Sequence, residues 1–480
     1  MGNGHGAFSA LSAEERAAAL VDVRTLARLE SDAPADSTVW IGAGRIDRRP
    51  VLLALTDGHR RGGTIGIADA HRLAELTGAA ATGAPAAIIV CWDTGGVRVE
   101  EGPVALAAAS AVGVALARLS LTGTPLISVV SGPRGCFGAP SVMAALSQLV
   151  VMTEDARWGL TGPRLLRSGT EPVAEHAGLA ATSAANRLKA GHTDVVVPDS
   201  PLAIREEIIA FLDRRGRRGN LLRAIDQSAV RLSALRKSIE SERRRRTAPP
   251  SGRRRDLLRF SFRGHWRPAQ PVLRRGLVHA AWGTLDGKPA LGIIIGYEGA
   301  RGAGVGIDEA SAVVEMVRHA ALASQDAPAP ILTFLFCQGH AIDIAQERHG
   351  LQRALAECLR TMVAARLLGH PLLCVLGGGA YGAAYLAFAA PSHRVLAMKG
   401  TTVAPMAPKV LAAFRSLRGI REAPETPPDL AELIPEIRMV ESVIRLPTAL
   451  REELDGLLQS VQPAPRRARR SNRRSAPSQS

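Results

Sequence analysis

The chain has 480 residues, enough for two or three domains, and 46% of them are hydrophobic, which excludes wholesale disorder. Aromatic residues make up only 4%, too few for the base-stacking platform of a single-stranded nucleic-acid binder. The 60 Lys and Arg against 44 Asp and Glu leave a formal charge of +16, with much of the excess in residues 243–255 and 466–474. Such runs read as solvated linker and tail charge, with an acidic partner protein as the functional alternative and nucleic acid as an unlikely one.

Residues 1–34 are expected to be peripheral, with a helix from about residue 12 to 30 that Ser12 and Glu15 start as a capping box. No apolar core of a signal peptide stands in MGNGHGAFSALSAEER, so the expected location is cytoplasmic. From Val39 the pattern predicts a short strand, a turn at Asp47, a second strand over 51–55, a glycine loop over 61–66 and a helix over 68–80. Strands follow over 86–91, 126–130 and 152–160, separated by an alanine-rich helix over 102–119 and a further helix after Gly138. Strand alternating with helix predicts an α/β fold with mainly parallel pairing.

The grammar then repeats. Gly44, opening GRIDRRPVLLAL, is answered by Gly283, opening GTLDGKPALGII, and Gly66 is answered by Gly306 before a helix over 308–323. Pro85 is answered by Pro330 and Thr122 by Leu368, a nearly constant offset of about 240 to 246 residues. Two homologous domains are therefore expected, at 35–235 and 271–455, joined by a basic linker at 236–270 and followed by a disordered basic tail at 456–480.

The stretch from Pro371 to Pro391 has the length and apolarity of a membrane span, but its Gly377-Gly378-Gly379 triplet argues for strand, loop and buried helix, with the helix over 380–390. No membrane association is expected. Each domain thus ends apolar strands in glycine loops at helix starts, where backbone N–H groups lack intrahelical partners and face out from the positive end of a dipole. Such groups can hold an oxyanion, as an enolate formed from a thioester requires. The competing reading is that glycine is ordinary at strand-to-helix turns. A dinucleotide site lacks support because Gly302, Gly304 and Gly306 miss the GxGxxG spacing, and no GxxxxGK[ST] occurs. Ser131 and Ser141 stand in no GxSxG elbow. His340 is either a plain loop histidine or an acid, base or substrate contact; Arg98 and Arg134 are candidates for meeting a carboxylate. Glu100 and Glu101 read as a solvated helix start. The five cysteines, Cys91, Cys136, Cys337, Cys358 and Cys374, are scattered without a CxxC, so no metal or disulfide framework is expected.

These residues carry a resemblance. Residues 62–66, Asp93-Thr94-Gly95-Gly96-Val97-Arg98, Gly135-Cys136-Phe137-Gly138 and 157–163 resemble the β subunit of biotin-independent malonate decarboxylase. Gln338-Gly339-His340, residues 365–371 and residues 393–397 are similar to its γ subunit. The resemblance covers most of residues 35–420 and implies two tandem crotonase-like (ClpP/crotonase spiral) domains of carboxyltransferase type. It implies decarboxylation of a malonyl thioester on an acyl carrier protein, without biotin or metal. The coenzyme A-like prosthetic group would belong to that acidic carrier, the δ subunit, and an acyl-transferring α subunit and a homo-oligomer of this chain would complete the assembly. The amides of Gly95, Gly96, Gly135, Cys136, Gly378 and Gly379 are the expected catalytic donors. Arg98, Arg134, Phe137, Gly138, His340, Ala380, Tyr381 and Gly382 are the expected substrate contacts. The chain departs from the family where Gly382-Ala383 replaces a serine and glycine and where Arg164 replaces a glutamate. A biotin-dependent acyl-CoA carboxyltransferase and a non-catalytic assembly protein of the same fold are the alternatives.

Overall fold

The computed structural model describes residues 6–29, 37–168, 174–214, 220–243, 266–285, 287–296, 304–324, 327–337, 339–418, 434, 436–442 and 444–460. Asp47 and Arg48 both take positive φ, 46° and 63°. That two-residue turn matches strand twist and closes a hairpin between β2 (Val39–Ile46) and β3 (Arg49–Thr56), flanked by β1 (Ala27–Arg28). The sheet continues in parallel through β4 (Ala87–Trp92), β5 (Leu126–Val130), β6 (Leu149–Thr153) and β7 (Val195–Val197), in simple chain order. Every residue of β4, β5 and β6 is buried, because helices cover both faces of a parallel sheet.

The second sheet repeats this plan. Antiparallel β8 (Trp266–Arg275), β9 (Val278–Leu285) and β10 (Lys288–Gly296) lead into parallel β11 (Ile331–Phe336) and β12 (Leu372–Leu376). Between β12 and the next strand of that sheet lies β13 (Gly379–Tyr381); then come β14 (Arg394–Met398), β15 (Thr402–Ala404) and β16 (Ile437–Val440). Strands β14 and β16 extend the main sheet, while β13 pairs in parallel with β15. The tandem α/β pattern read from the sequence repeat is present as two sheets of the same design.

Three elements differ from expectation. The first helix covers only Ala13–Leu20, with its Ser12–Glu15 capping box in place. Beyond Leu20 the chain is drawn out by Asp22, whose carboxylate accepts the N–H groups of Asp47 and Arg48 and pairs with Arg205. The strand expected at 152–160 is instead Leu149–Thr153, starting three residues earlier and ending at Thr153, where Ala156 N–H donates to Thr153 O in a turn. The helix expected over 380–390 starts at Gly382, because Gly379–Tyr381 is taken by strand pairing; Tyr385–Ala389 is then a π-turn closed by Ala390 N–H to Tyr385 O at 3.0 Å.

One apolar core runs across both halves. The helix Gly102–Thr122, long and apolar enough to cross a membrane, packs on Ile67–Gly83, Leu351–Leu367 and the π-turn. Gly113 makes that crossing close: a Cβ there would lie 2.8 Å from Leu386. The helix Leu221–Arg243 lies on Ile307–Ala323 and Leu351–Leu367 and holds them with Arg231–Glu357 and Arg236–Asp308 pairs. Residue 235, the expected end of the first domain, falls inside this helix. The last helix, Leu446–Ser460, runs past residue 456. Linker residues 244–265, the tail beyond 460, Gly302 and Gln338 lie outside the described residues.

Candidate active site

The ends of β4 and β5 place two glycine loops against each other. Thr94 bridges to Cys136, and Cys136 in turn to Trp158, so three chain segments run side by side. Gly96 has φ 118° and Gly138 φ 65°. A Cβ on Gly138 would sit in van der Waals contact, 3.4 Å from Gly96 Cα, so the positive φ of both residues, and not a lack of space, is what calls for glycine. Asp93, buried beneath them, accepts the Arg134 N–H at 2.8 Å and anchors the second loop. Burial pushes the Asp93 carboxyl above its ordinary range, opposed by these backbone donors.

Beside the loops a cavity of about 420 Å³ lies between the two halves. Gly95, Gly96, Val97, Phe137, Gly138 and Ala139 form its first-half wall, with Leu160 to Leu165 as a second edge. The second half supplies Gly339, His340, Ile342, Tyr381, Gly382 and Ala383, closed over by Met406, Val410 and Phe414. An adjoining cleft of about 720 Å³ shares Val97, Arg134 and Arg164 with it and adds His59, Arg61 and Arg98.

The expected donor amides are mostly spent inside the protein. Gly95 N–H donates to Gly62 O at 3.0 Å and Gly96 N–H to Thr94 Oγ1 at 3.1 Å. Gly135 N–H goes to Gly132 O, Cys136 N–H to Arg157 O, Phe137 N–H to Thr94 O and Gly138 N–H to Leu160 O. Gly135, Cys136, Gly378, Gly379 and Ala380 do not line the cavity. Gly378 O accepts from Thr402 N–H, and Gly379 and Ala380 sit in the β13–β15 ladder. Among the described residues Val97 N–H has no backbone partner, and Ala139 opens the helix Ala139–Ala145, where N–H groups have no intrahelical acceptor. The N–H groups left without a backbone partner on these loops therefore fall one residue beyond the glycines.

The second half reproduces the pair. Ile65 bridges Val97 by accepting Arg98 N–H and donating to Gly96 O; Val305 bridges His340 by accepting Ala341 N–H and donating to Gly339 O. His340 thus stands where Val97 stands. Gly382, φ 51°, matches Gly138, so Ala383 matches Ala139. Applying the repeat offset to the loops would have shown this correspondence in the sequence; loop hydrogen bonding would not have been visible there.

Side chains sort differently from expectation as well. Arg98 is locked in a buried pair with Asp69 at 2.8 Å and with Glu101 at 2.6 Å, and does not line the main cavity. Arg134 does line it, beside Arg157 and Arg164, with Glu175 the carboxylate nearby, 3.6 Å from Arg164. Tyr381 lines the cavity and burial raises its phenol above the ordinary value. His340 is half-buried, and burial lowers its imidazole to about 4. Its Nε2 lies 3.2 Å from Thr161 Oγ1, a residue the sequence did not single out. All five cysteines are buried, and burial pushes the Cys136 thiol well up, which leaves it inert.

Residues 12–228 match the carboxyl transferase domain family, and residues 300–476 match the malonate decarboxylase gamma subunit family. The methylmalonyl-CoA carboxyltransferase 12S subunit of Propionibacterium freudenreichii is 32% identical over 184 residues, 37% of this chain and 33% of that protein. The malonyl-S-ACP:biotin-protein carboxyltransferase of Malonomonas rubra is 26% identical over 145 residues, 27% of this chain and 45% of that protein. The match thus spans about a third of the first relative and under half of the second. A solved Pseudomonas malonate decarboxylase MdcD–MdcE heterodimer aligns at 29% identity over 43% of this chain and 88% of the matched chain, with a TM-score of 0.38. With both family matches in place, this chain joins in one polypeptide a carboxyl-transferase-type domain and a malonate decarboxylase γ-subunit-type domain.

Proposed function

We propose that this chain decarboxylates a malonyl thioester carried on an acyl carrier protein, leaving the acetyl thioester and releasing carbon dioxide. The observation that carries the reading is the duplicated donor pair, Val97 with Ala139 and His340 with Ala383, on opposite walls of one interdomain cavity. Breaking the bond between the carboxylate and C2 sends its electron pair toward the thioester oxygen as an enolate. One pair of N–H groups faces that developing charge; the other holds the departing carboxylate. A solvent proton then adds to C2. Fixed amides in a largely apolar cavity stabilise such charge without reorganising, each worth about 10² to 10³ in rate.

The coenzyme A-like arm of the carrier would enter along the adjoining cleft. Arg134 and Arg164 stand at the junction of the two spaces and suit the phosphate of such an arm. The acidic carrier, an acyl-transferring α subunit and a second copy of this chain are the partners this reading supplies. A carboxyl transfer to biotin is the second reading, favoured by the two relatives named above as carboxyltransferases. Supplying malonyl-loaded carrier to the purified protein separates them: carbon dioxide release insensitive to avidin supports decarboxylation, and release or transfer that appears only with a biotin acceptor supports the alternative.

A further inference from the structure

At the seam between the halves, a buried carboxylate grips a loop from the other domain. Glu347, on the helix Ile344–Arg348, accepts Leu160 N–H on Oε1 and Thr161 N–H on Oε2, both at 2.9 Å. Arg187 completes the clamp, donating to Glu347 Oε1 and Glu347 O and to Trp158 O, each at 2.7 Å. Arg187 and Glu347 are both 1% exposed. Gly159 permits the approach, because a Cβ there would lie 2.5 Å from Glu347 Oε1. Thr161 is thereby fixed relative to the second domain, where its hydroxyl meets His340 Nε2 at 3.2 Å.

A threonine hydroxyl has one proton to donate. Among the described residues His340 Nε2 is the partner recorded for Thr161 Oγ1. If Nε2 instead carried the proton, the hydroxyl hydrogen of a 3% exposed residue would have no acceptor among the described residues, which is unfavourable for a buried donor. The other ring nitrogen, Nδ1, lies beside Gly382 on the cavity wall, 4.0 Å from where a Cβ on that glycine would stand, and has no hydrogen-bond partner among the described residues.

We propose that Thr161 fixes His340 as the tautomer protonated on Nδ1, so that a neutral imidazole offers an N–H donor to the acyl group in the cavity, with Glu347 as the positioning residue behind Thr161. This rests on the decarboxylase reading only for the identity of the acyl oxygen it meets. A neutral histidine with a lowered pKa can polarise an oxygen without giving up its proton. Side-chain and backbone N–H groups of His340 then act at the same wall.

Ring-15N-labelled histidine read by NMR tests the assignment without substrate, with the His340 signals identified by their loss in His340→Asn. At neutral pH the structure requires a pyrrole-type Nδ1 and a pyridine-type Nε2 for His340. Thr161→Val should shift the ring toward the opposite tautomer and lower kcat by about tenfold with KM little changed, while Thr161→Ser keeps both the spectrum and the rate. Glu347→Gln should broaden the His340 signals as Thr161 loses its anchor. A pyrrole-type Nε2 in the parent, or a Thr161→Val spectrum identical to the parent's, overturns the proposal. Absence of carbon dioxide release by the parent counts against the decarboxylase reading alone and leaves the tautomer result standing.

Discussion

Val97 and His340 occupy equivalent places in the two halves, yet one is aliphatic and the other can donate from its side chain. The pair divides the cavity into a wall of backbone donors and a wall with an added imidazole. The loops that carry the first wall depend on Gly138, whose positive φ of 65° is a backbone conformation that L side chains rarely adopt. Gly138→Ala should strain the backbone by roughly 1 to 2 kcal/mol and part the loops. We expect kcat/KM to fall by about 10²-fold while the melting temperature drops only a few degrees, read by steady-state kinetics beside calorimetry. Equal losses in activity and in folded fraction would show that the residue is only structural. The glycine loops were legible from the residues because a triplet such as Gly377 to Gly379 has few other uses. Their free donors were not, since Gly135 spends its N–H on Gly132 in a local turn and Cys136 spends its own on Arg157, some twenty residues on.

Strands and helices followed from apolar runs and glycine punctuation wherever the signal lay within the segment itself. The β2–β3 hairpin and the buried runs of β5 and β12 are examples. What escaped was pairing decided at a distance: Gly379–Tyr381 has the small residues of a helix start but is claimed by Thr402–Ala404. The end of the Leu221–Arg243 helix, from residue 236 on, likewise read as linker because its partners lie in the other half. At this scale the buried Arg187–Glu347 pair links the two domains. Glu347→Ala leaves a buried guanidinium uncompensated and should cost about 3 to 5 kcal/mol, measured by urea unfolding. The double variant Arg187→Met/Glu347→Leu should recover part of that loss by packing, although two loop amides remain without their acceptor. A single Glu347→Ala as stable as the parent would show that the clamp adds nothing.

Across the molecule, burial keeps several histidines neutral. His192 at the domain seam is lowered to about 3 and His340 and His393 to about 4, first by desolvation and, for His192 and His393, then by nearby arginines. Each folded value lies below the ordinary 6.5, so between the two the unfolded chain binds more protons. Their stabilising effect is complete above about pH 6.5 and is lost as pH falls toward 4 and 3. Asp93 and Glu309, raised by burial, oppose this trend at the acid end. Comparing parent and His192→Asn in urea isolates one group: the parent should lose stability more steeply between pH 6.5 and 3. Parallel curves would contradict the assignment.

The two halves share one core and one cavity, and the central claim is that the cavity removes carbon dioxide from a malonyl thioester without handing it to biotin. The direct measurement is carbon dioxide evolved from carboxyl-labelled malonyl-carrier by the purified chain with avidin present. Sustained release is expected, matched by acetyl-carrier and reduced about 10²-fold in Gly138→Ala. Release that stops with avidin, or label recovered only on an added biotin acceptor, would contradict it.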